Sequence, residues 1–148
     1  MNQTSILNEQ KLIQKIIDHE GIIPYMYQDS KGYWTIGCGR LIDHRLMGGL
    51  SDEECRYLLK NDIASKRKEL SSIPWYNIQD EVRRGVILEL SFNMGVPRLL
   101  TFQKMISALK VFDYNKAADE MIDSKWAKDV GKTRVNDMVY RMRTGTYK

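Results

Sequence analysis

Glu20, Asp29 and Thr35 follow one another as E-x8-D-x5-T inside a single aromatic-rich stretch, HEGIIPYMYQDSKGYWTIGCGR. Two carboxylates held on either side of a groove are the minimum for splitting a glycosidic bond: one protonates the leaving oxygen, and the other acts as base on a water or as nucleophile. Each residue alone has a plainer reading. Glu20 could be a solvated helix-end acid, Asp29 a turn residue and Thr35 a strand threonine. Their joint spacing favours the chemical reading, because a tight hairpin following a helix end can face the two acids across one groove, with the threonine on the returning strand.

The elements that must hold these three residues are legible around them. Leu12, Ile13, Ile16 and Ile17 recur at helical spacing, which predicts a helix from about Ser5 to Glu20, closed by Gly21. Glu20 then sits in the last turn, at the negative end of the helix dipole, where a charged carboxylate is disfavoured and a proton donor is well placed. Beyond Pro24 the pattern turns extended through Gln28. Asp29-Ser30-Lys31-Gly32 reads as a type I hairpin turn, and Tyr33 to Ile36 as the return strand. Gly37 and Gly39 point to a bulge or a close backbone approach. Tyr25, Tyr27, Tyr33 and Trp34 could pack against sugar faces or form the core of this small lobe.

The loop Asp43 to Leu50 leads to Ser51-Asp52-Glu53-Glu54, an S-x-x-E capping box that opens a long helix to about Leu70, with Leu58, Leu59, Ile63 and Leu70 on its apolar side. Ser71 to Pro74 breaks the chain. Asp80 is the expected N-cap of an apolar helix running through Val82, Val86, Ile87, Leu90 and Phe92 to about Met94, the central helix of the second half. Arg83 and Arg84 in its first turn oppose the dipole and are expected to pair with acids or face solvent. Shorter helices follow at about Phe102–Lys110, Asn115–Asp123, Lys125–Asp129 and Arg134–Arg141, with Asp113, Ser124 and Thr133 as caps and Trp126 and the methionines as core. The fold class expected is α+β, mainly α. It is one catalytic unit over 1–148, divided into an N-terminal helix and β-lobe (1–50), a connecting helix (51–70) and a helical lobe (71–148).

Composition narrows the function classes. With 43% hydrophobic and 28% charged residues, the chain is an ordinary globular protein. Its formal charge of +4 arises entirely in the second half, which could offer a mildly positive surface to an anionic partner. Acids and bases are interleaved and no recognition-helix motif is present, which argues against a nucleic-acid-binding protein. Cys38 and Cys55 make neither a disulfide framework nor a metal spacing and are expected as reduced, buried thiols. The two histidines show no metal motif, so no metal and no cofactor is expected. The N-terminus lacks the basic and apolar regions of a signal segment, and no stretch reaches the roughly 18 apolar residues of a membrane span. A soluble monomer made in the cytoplasm, without membrane insertion, is the expectation.

At Glu20-Gly21, then Tyr27-x-Asp29-x-x-Gly32-Tyr33-x-Thr35-Ile36-Gly37-x-Gly39, the sequence resembles the phage-type lysozymes, glycoside hydrolase family 24. The likeness continues through Phe92-Asn93-Met94-Gly95, Trp126, Arg134 and Arg143-Thr144-Gly145-Thr146, covering nearly the whole chain in order. The resemblance implies a muramidase (lysozyme, endolysin) acting on peptidoglycan. Glu20 would be the general acid, and Asp29 would orient or activate the attacking water with help from Thr35, giving inversion. The two carboxyl groups would then stand roughly 6.5–9.5 Å apart. The resemblance further implies that Asn93, Tyr27 and Gly39 contact substrate and that Arg134 pairs with the catalytic glutamate. Where the family carries a histidine after T-I-G-x-G this chain has Arg40, and Asp62 stands at the place of that histidine's partner, so an Arg40–Asp62 ion pair is expected. Release from the bacterial cytoplasm to the wall would depend on a holin-like partner that opens the membrane. The rival within the same likeness is a lytic transglycosylase or a catalytically dead wall-binding relative. A transglycosylase can work with one glutamate, so Asp29 and Thr35 together favour hydrolysis.

Overall fold

A computed structural model of the chain describes residues 3–147, with side chains from residue 9 onward. The architecture is α+β and mainly α, with one three-stranded antiparallel sheet. The chain divides into two compact units, Met1–Tyr57 and Leu58–Lys148. The division falls inside the long helix expected to connect the lobes.

The first unit opens with α1 (Gln3–Glu20), which Gly21 ends as expected: its φ is +74° and its N–H donates to Ile17 O at 2.8 Å. Strands β1 (Ile23–Gln28), β2 (Trp34–Gly37) and β3 (Arg40–Leu41) follow in that spatial order. Tyr27 faces Thr35 and Gln28 faces Trp34, but Ile23 faces Gly37, so β1 bulges between Ile23 and Tyr27. A single 3-10 turn, His44–Leu46, is capped by Asp43. Apolar side chains of this unit are largely uncovered among the described residues. Leu12, Ile13 and Ile16 of α1 are exposed and only Ile17 is half-buried. The aromatic residues form no core either, Tyr25 being 78% exposed and Trp34 exposed as well. Alternation on so short a bulged sheet gives too little apolar area to enclose a ring.

Helix α2 (Asp52–Leu70) starts at the anticipated capping box: Glu54 N–H donates to Ser51 Oγ at 3.2 Å and Ser51 N–H returns to Glu54 Oε2 at 2.8 Å. Of its four apolar residues only Leu70 is fully buried, with Ile63 packed against the core. The second unit continues with α3 (Pro74–Asn77), α4 (Glu81–Met94), α5 (Val96–Leu99), α6 (Gln103–Lys110), α7 (Tyr114–Ile122), α8 (Lys125–Val130) and α9 (Lys132–Thr144). The short helix α3 lies where the sequence suggested only a break, and α5 follows the end of α4; each has a proline in its first turn. Asp80, Asp113 and Ser124 cap as expected, but α9 begins after Gly131, two residues ahead of the expected Thr133 cap. Val86, Ile87 and Leu90 of α4 pack with Met105, Met121, Met138, Met142 and Trp126 in the core, whereas Phe92 is half-exposed.

Candidate active site

Each of the three catalytic candidates is placed by backbone geometry within the first unit. Glu20 leaves the end of α1, and its Oε2 lies 3.7 Å from the position a Cβ on Gly39 would take. Gly39 (φ +74°) lies in the β2–β3 turn, where an added Cβ would make ordinary contact with that carboxylate. Asp29 sits at the other end of β2 as the first residue of the β1–β2 turn. Its O accepts from Gly32 N–H at 2.9 Å, its N–H donates to Tyr33 O at 2.9 Å, and its Oδ1 accepts from the N–H groups of Lys31 (2.8 Å) and Tyr33 (2.9 Å). One carboxylate oxygen is thus spent on the turn, and Oδ2 takes no part in these two bonds. Thr35, 4% exposed, lies between these two points on β2 and donates its hydroxyl to Tyr33 O at 3.1 Å.

The supporting candidates divide. Tyr27 is half-buried on β1 opposite Thr35. Asn93 is exposed in the last turn of α4, and Arg134 is exposed on α9. Arg40 takes a different partner from the one expected: it pairs with Glu54 instead of Asp62. The cause is local. Arg40 also donates to Gly49 O at 3.4 Å, which holds it beside the start of α2, while Asp62 stands about two helical turns further along. Ser51 N–H and hydroxyl, followed by the charge of Arg40, keep the Glu54 carboxyl below its ordinary range. The cysteines Cys38 and Cys55 are free, in keeping with the expected thiols, but both are exposed where burial was expected. Cys38 occupies the tip between Gly37 and Gly39, and Cys55 the first turns of a helix whose N-terminal part buries no side chain.

Sequence reasoning missed Asp43, which is 2% exposed and hydrogen-bonded through both carboxylate oxygens. Its Oδ1 accepts from Arg45 N–H (3.0 Å) and Nε (2.8 Å), and its Oδ2 from Arg45 Nη2 (2.5 Å) and Trp34 N–H (3.2 Å). The Arg45 guanidinium holds the Asp43 carboxyl far below the usual carboxylate range, overcoming the opposing effect of burial, with the Arg45 and Trp34 N–H groups assisting. The one signal in the sequence is an aspartate just ahead of a short helical turn. Among the described residues no group of three or more His, Cys, Asp or Glu side chains is placed to hold a metal ion.

The first unit thus carries an acid at a helix exit, a carboxylate tied into a turn through one of its oxygens, and a buried hydroxyl on the strand that leads from that turn to Gly39. Comparison with known proteins adds an independent finding. A family model described as phage lysozyme matches residues 17–144. A probable T4-type lysozyme 1 of Dictyostelium discoideum is 27% identical, the match covering 82% of this chain and 86% of that protein. An endolysin of Acyrthosiphon pisum secondary endosymbiont phage 1 is 28% identical over 74% of this chain and 73% of its own. The pre-baseplate central spike protein Gp5 of Enterobacteria phage T4 is 26% identical over 72% of this chain and 23% of its own length.

Proposed function

Since this chain belongs to the phage lysozyme family and is thus a glycoside hydrolase of the lysozyme type, acting on peptidoglycan, we propose that it cuts the β-1,4 bond between N-acetylmuramic acid and N-acetylglucosamine with inversion, for lysis of a host cell. Glu20 protonates the leaving oxygen, and the Oδ2 of Asp29, with the Thr35 hydroxyl, orients the attacking water. The observation that carries the reading is the state of Asp29. A carboxylate whose Oδ1 is consumed by two backbone N–H groups presents its other oxygen in a fixed direction, which suits aligning a water and is superfluous in a one-glutamate transglycosylase. Tyr27 and Gly39, in the same unit as the two acids, contact the glycan in this reading. The protein acts as a monomer and reaches the wall from the cytoplasm through a membrane lesion made by a holin-like partner.

The test is clearing of isolated peptidoglycan. Glu20→Gln is expected to lose nearly all activity while its unfolding transition is unchanged, and Asp29→Asn to lose most of it. Products ending in reducing sugars support hydrolysis; anhydro-sugar ends would replace it by the transglycosylase reading. Full clearing by Glu20→Gln would reject the assigned acid.

A further inference from the structure

Asp43 and Arg45 present a problem that the catalytic reading leaves open. Burying a carboxylate is costly unless it is paired and fully hydrogen-bonded, and a hairpin turn with Asp first and Gly fourth closes on its own local bonds without such help. What this pair of a buried acid and an exposed arginine holds, beyond its own loop, is the neighbourhood of Asp29. Asp43 grips both backbone polar groups of Trp34: Oδ2 takes the Trp34 N–H at 3.2 Å, and the Asp43 N–H donates to Trp34 O at 3.1 Å. Arg45 extends from Asp43 to donate through Nη2 to Gly32 O at 3.3 Å, and its guanidinium lies over the Tyr33 ring, 5.3 Å from the centroid. Gly32 and Tyr33 are the residues whose N–H groups bond the Asp29 carbonyl and the Asp29 Oδ1. One hydrogen-bonded residue therefore separates the clamp from the carboxylate.

The loop behind the pair is itself tightly seated. Asp43 O accepts from Leu46 N–H (3.1 Å) and Gly48 N–H (3.0 Å), and a Cβ on Gly48 would stand 2.8 Å from Leu41 O and 2.9 Å from Asp43 N. The support has no slack to give.

We infer that Asp43 and Arg45 are positioning residues for Asp29: their ion pair braces the β1–β2 turn and so fixes the direction of the one Asp29 oxygen left to act on water. This rests on the role proposed above for Asp29. Arg45 suits the task because its planar fork donates to Asp43 and Gly32 O at once. A lysine can satisfy the Asp43 charge but offers a point charge in place of the fork.

The test uses the full chain carrying Arg45→Ala, Arg45→Lys or Asp43→Asn, with peptidoglycan kinetics, thermal unfolding and the amide resonances of Lys31 and Tyr33, which report the two bonds to Asp29 Oδ1. Arg45→Ala is expected to lower kcat about ten- to a hundred-fold with KM nearly unchanged, as sub-ångström to ångström misplacement of a reacting group does, and to shift both amides. Arg45→Lys is expected to recover thermal stability but little of kcat. Should lysine restore kcat together with stability, or should folded Arg45→Ala keep full kcat, the pair is only structural and the inference is overturned. If Arg45→Ala and Asp43→Asn do not fold, Arg45→Lys decides by the same readouts. The amide shifts do not depend on turnover: unshifted amides in the arginine variants refute the clamp, whereas shifted amides beside a fully active Asp29→Asn refute the catalytic role of Asp29, and with it this inference.

Discussion

Gly39 and Gly48, on either side of β3, differ sharply in what one added methyl group would do. At Gly48 a Cβ would meet backbone atoms of Leu41 and Asp43 at 2.8 and 2.9 Å, and backbone in a seated loop cannot step aside. Gly48→Ala is expected to cost about 2–3 kcal/mol of stability by denaturant unfolding. At Gly39 the nearest atom to the new methyl is Glu20 Oε2 at 3.7 Å, an ordinary contact, so the cost comes from the +74° φ and should be about 1–2 kcal/mol. Activity should reverse the order. Gly39→Ala sets an apolar methyl against the proposed acid, and is expected to lose more kcat per folded molecule than Gly48→Ala. Equal kcat losses at the two positions would remove the case for a special approach between Gly39 and Glu20.

Among the elements, α9 and the β-hairpin are each held by a charged side chain brought from elsewhere in the chain. Arg83, expected only to pair with an acid or face solvent, does pair with Asp80 at 2.6 Å, but it also donates Nε to Met142 O (2.7 Å) and Nη2 to Arg143 O (2.8 Å) while lying 3.5 Å over the Tyr114 ring. A cation that opposes the dipole at the start of α4 thus satisfies the carbonyls at the end of α9. Arg83→Ala leaves those carbonyls without their charged donor and is expected to lower stability by about 3 kcal/mol in urea unfolding, with an unchanged m-value. Gly145→Ala should reproduce part of that loss, since its methyl would stand 2.5 Å from Arg83 Nη1. In the hairpin unit the corresponding group is Asp43. Its carboxyl is held well below the ordinary value by Arg45, so its contribution is fully present above the unfolded-state pKa of about 3.9 and is lost as pH falls toward the depressed folded value. Amide exchange at Trp34 should therefore accelerate as pH is lowered from about 4 toward 2, once corrected for intrinsic rates. Asp43→Asn should abolish that dependence.

For the molecule as a whole, the distribution of buried side chains sets where it opens first. Every residue of the hydrophobic core lies between Leu70 and Met142, while in the first unit the fully buried side chains among the described residues are the polar Thr35 and Asp43. The helical unit has a further internal tie in Arg141, 6% exposed, which pairs with Glu89 of α4 and Asp137 of α9, each at 2.6 Å. Hydrogen exchange on the intact chain is expected to give the slowest amides in α4 and α9, with the β1–β2 hairpin exchanging at a clearly lower opening free energy. Uniform protection across both would contradict a core confined to one unit.

The amino-acid sequence by itself determines whatever the chain decides within a few residues of each position. The Gly21 stop, the Asp29–Gly32 turn, the Ser51–Glu54 box and the Asp80, Asp113 and Ser124 caps depend on contacts three or four positions apart, and backbone stereochemistry makes those contacts nearly automatic. The E-x8-D-x5-T spacing belongs to the same class, since one helix end and one hairpin suffice to place its members. The partner of Arg40, the burial of Asp43, the double pairing of Arg141 and the exposure of Leu12, Ile13 and Cys38 are decided only in the tertiary structure. Each depends on how far apart two segments finish after a bulge, a loop and a helix have all been laid down. A charged side chain takes whichever opposite charge that accumulated geometry brings within reach, and an apolar one is buried only if another surface arrives to cover it. Local rules leave those distances undetermined; only the assembled chain supplies them.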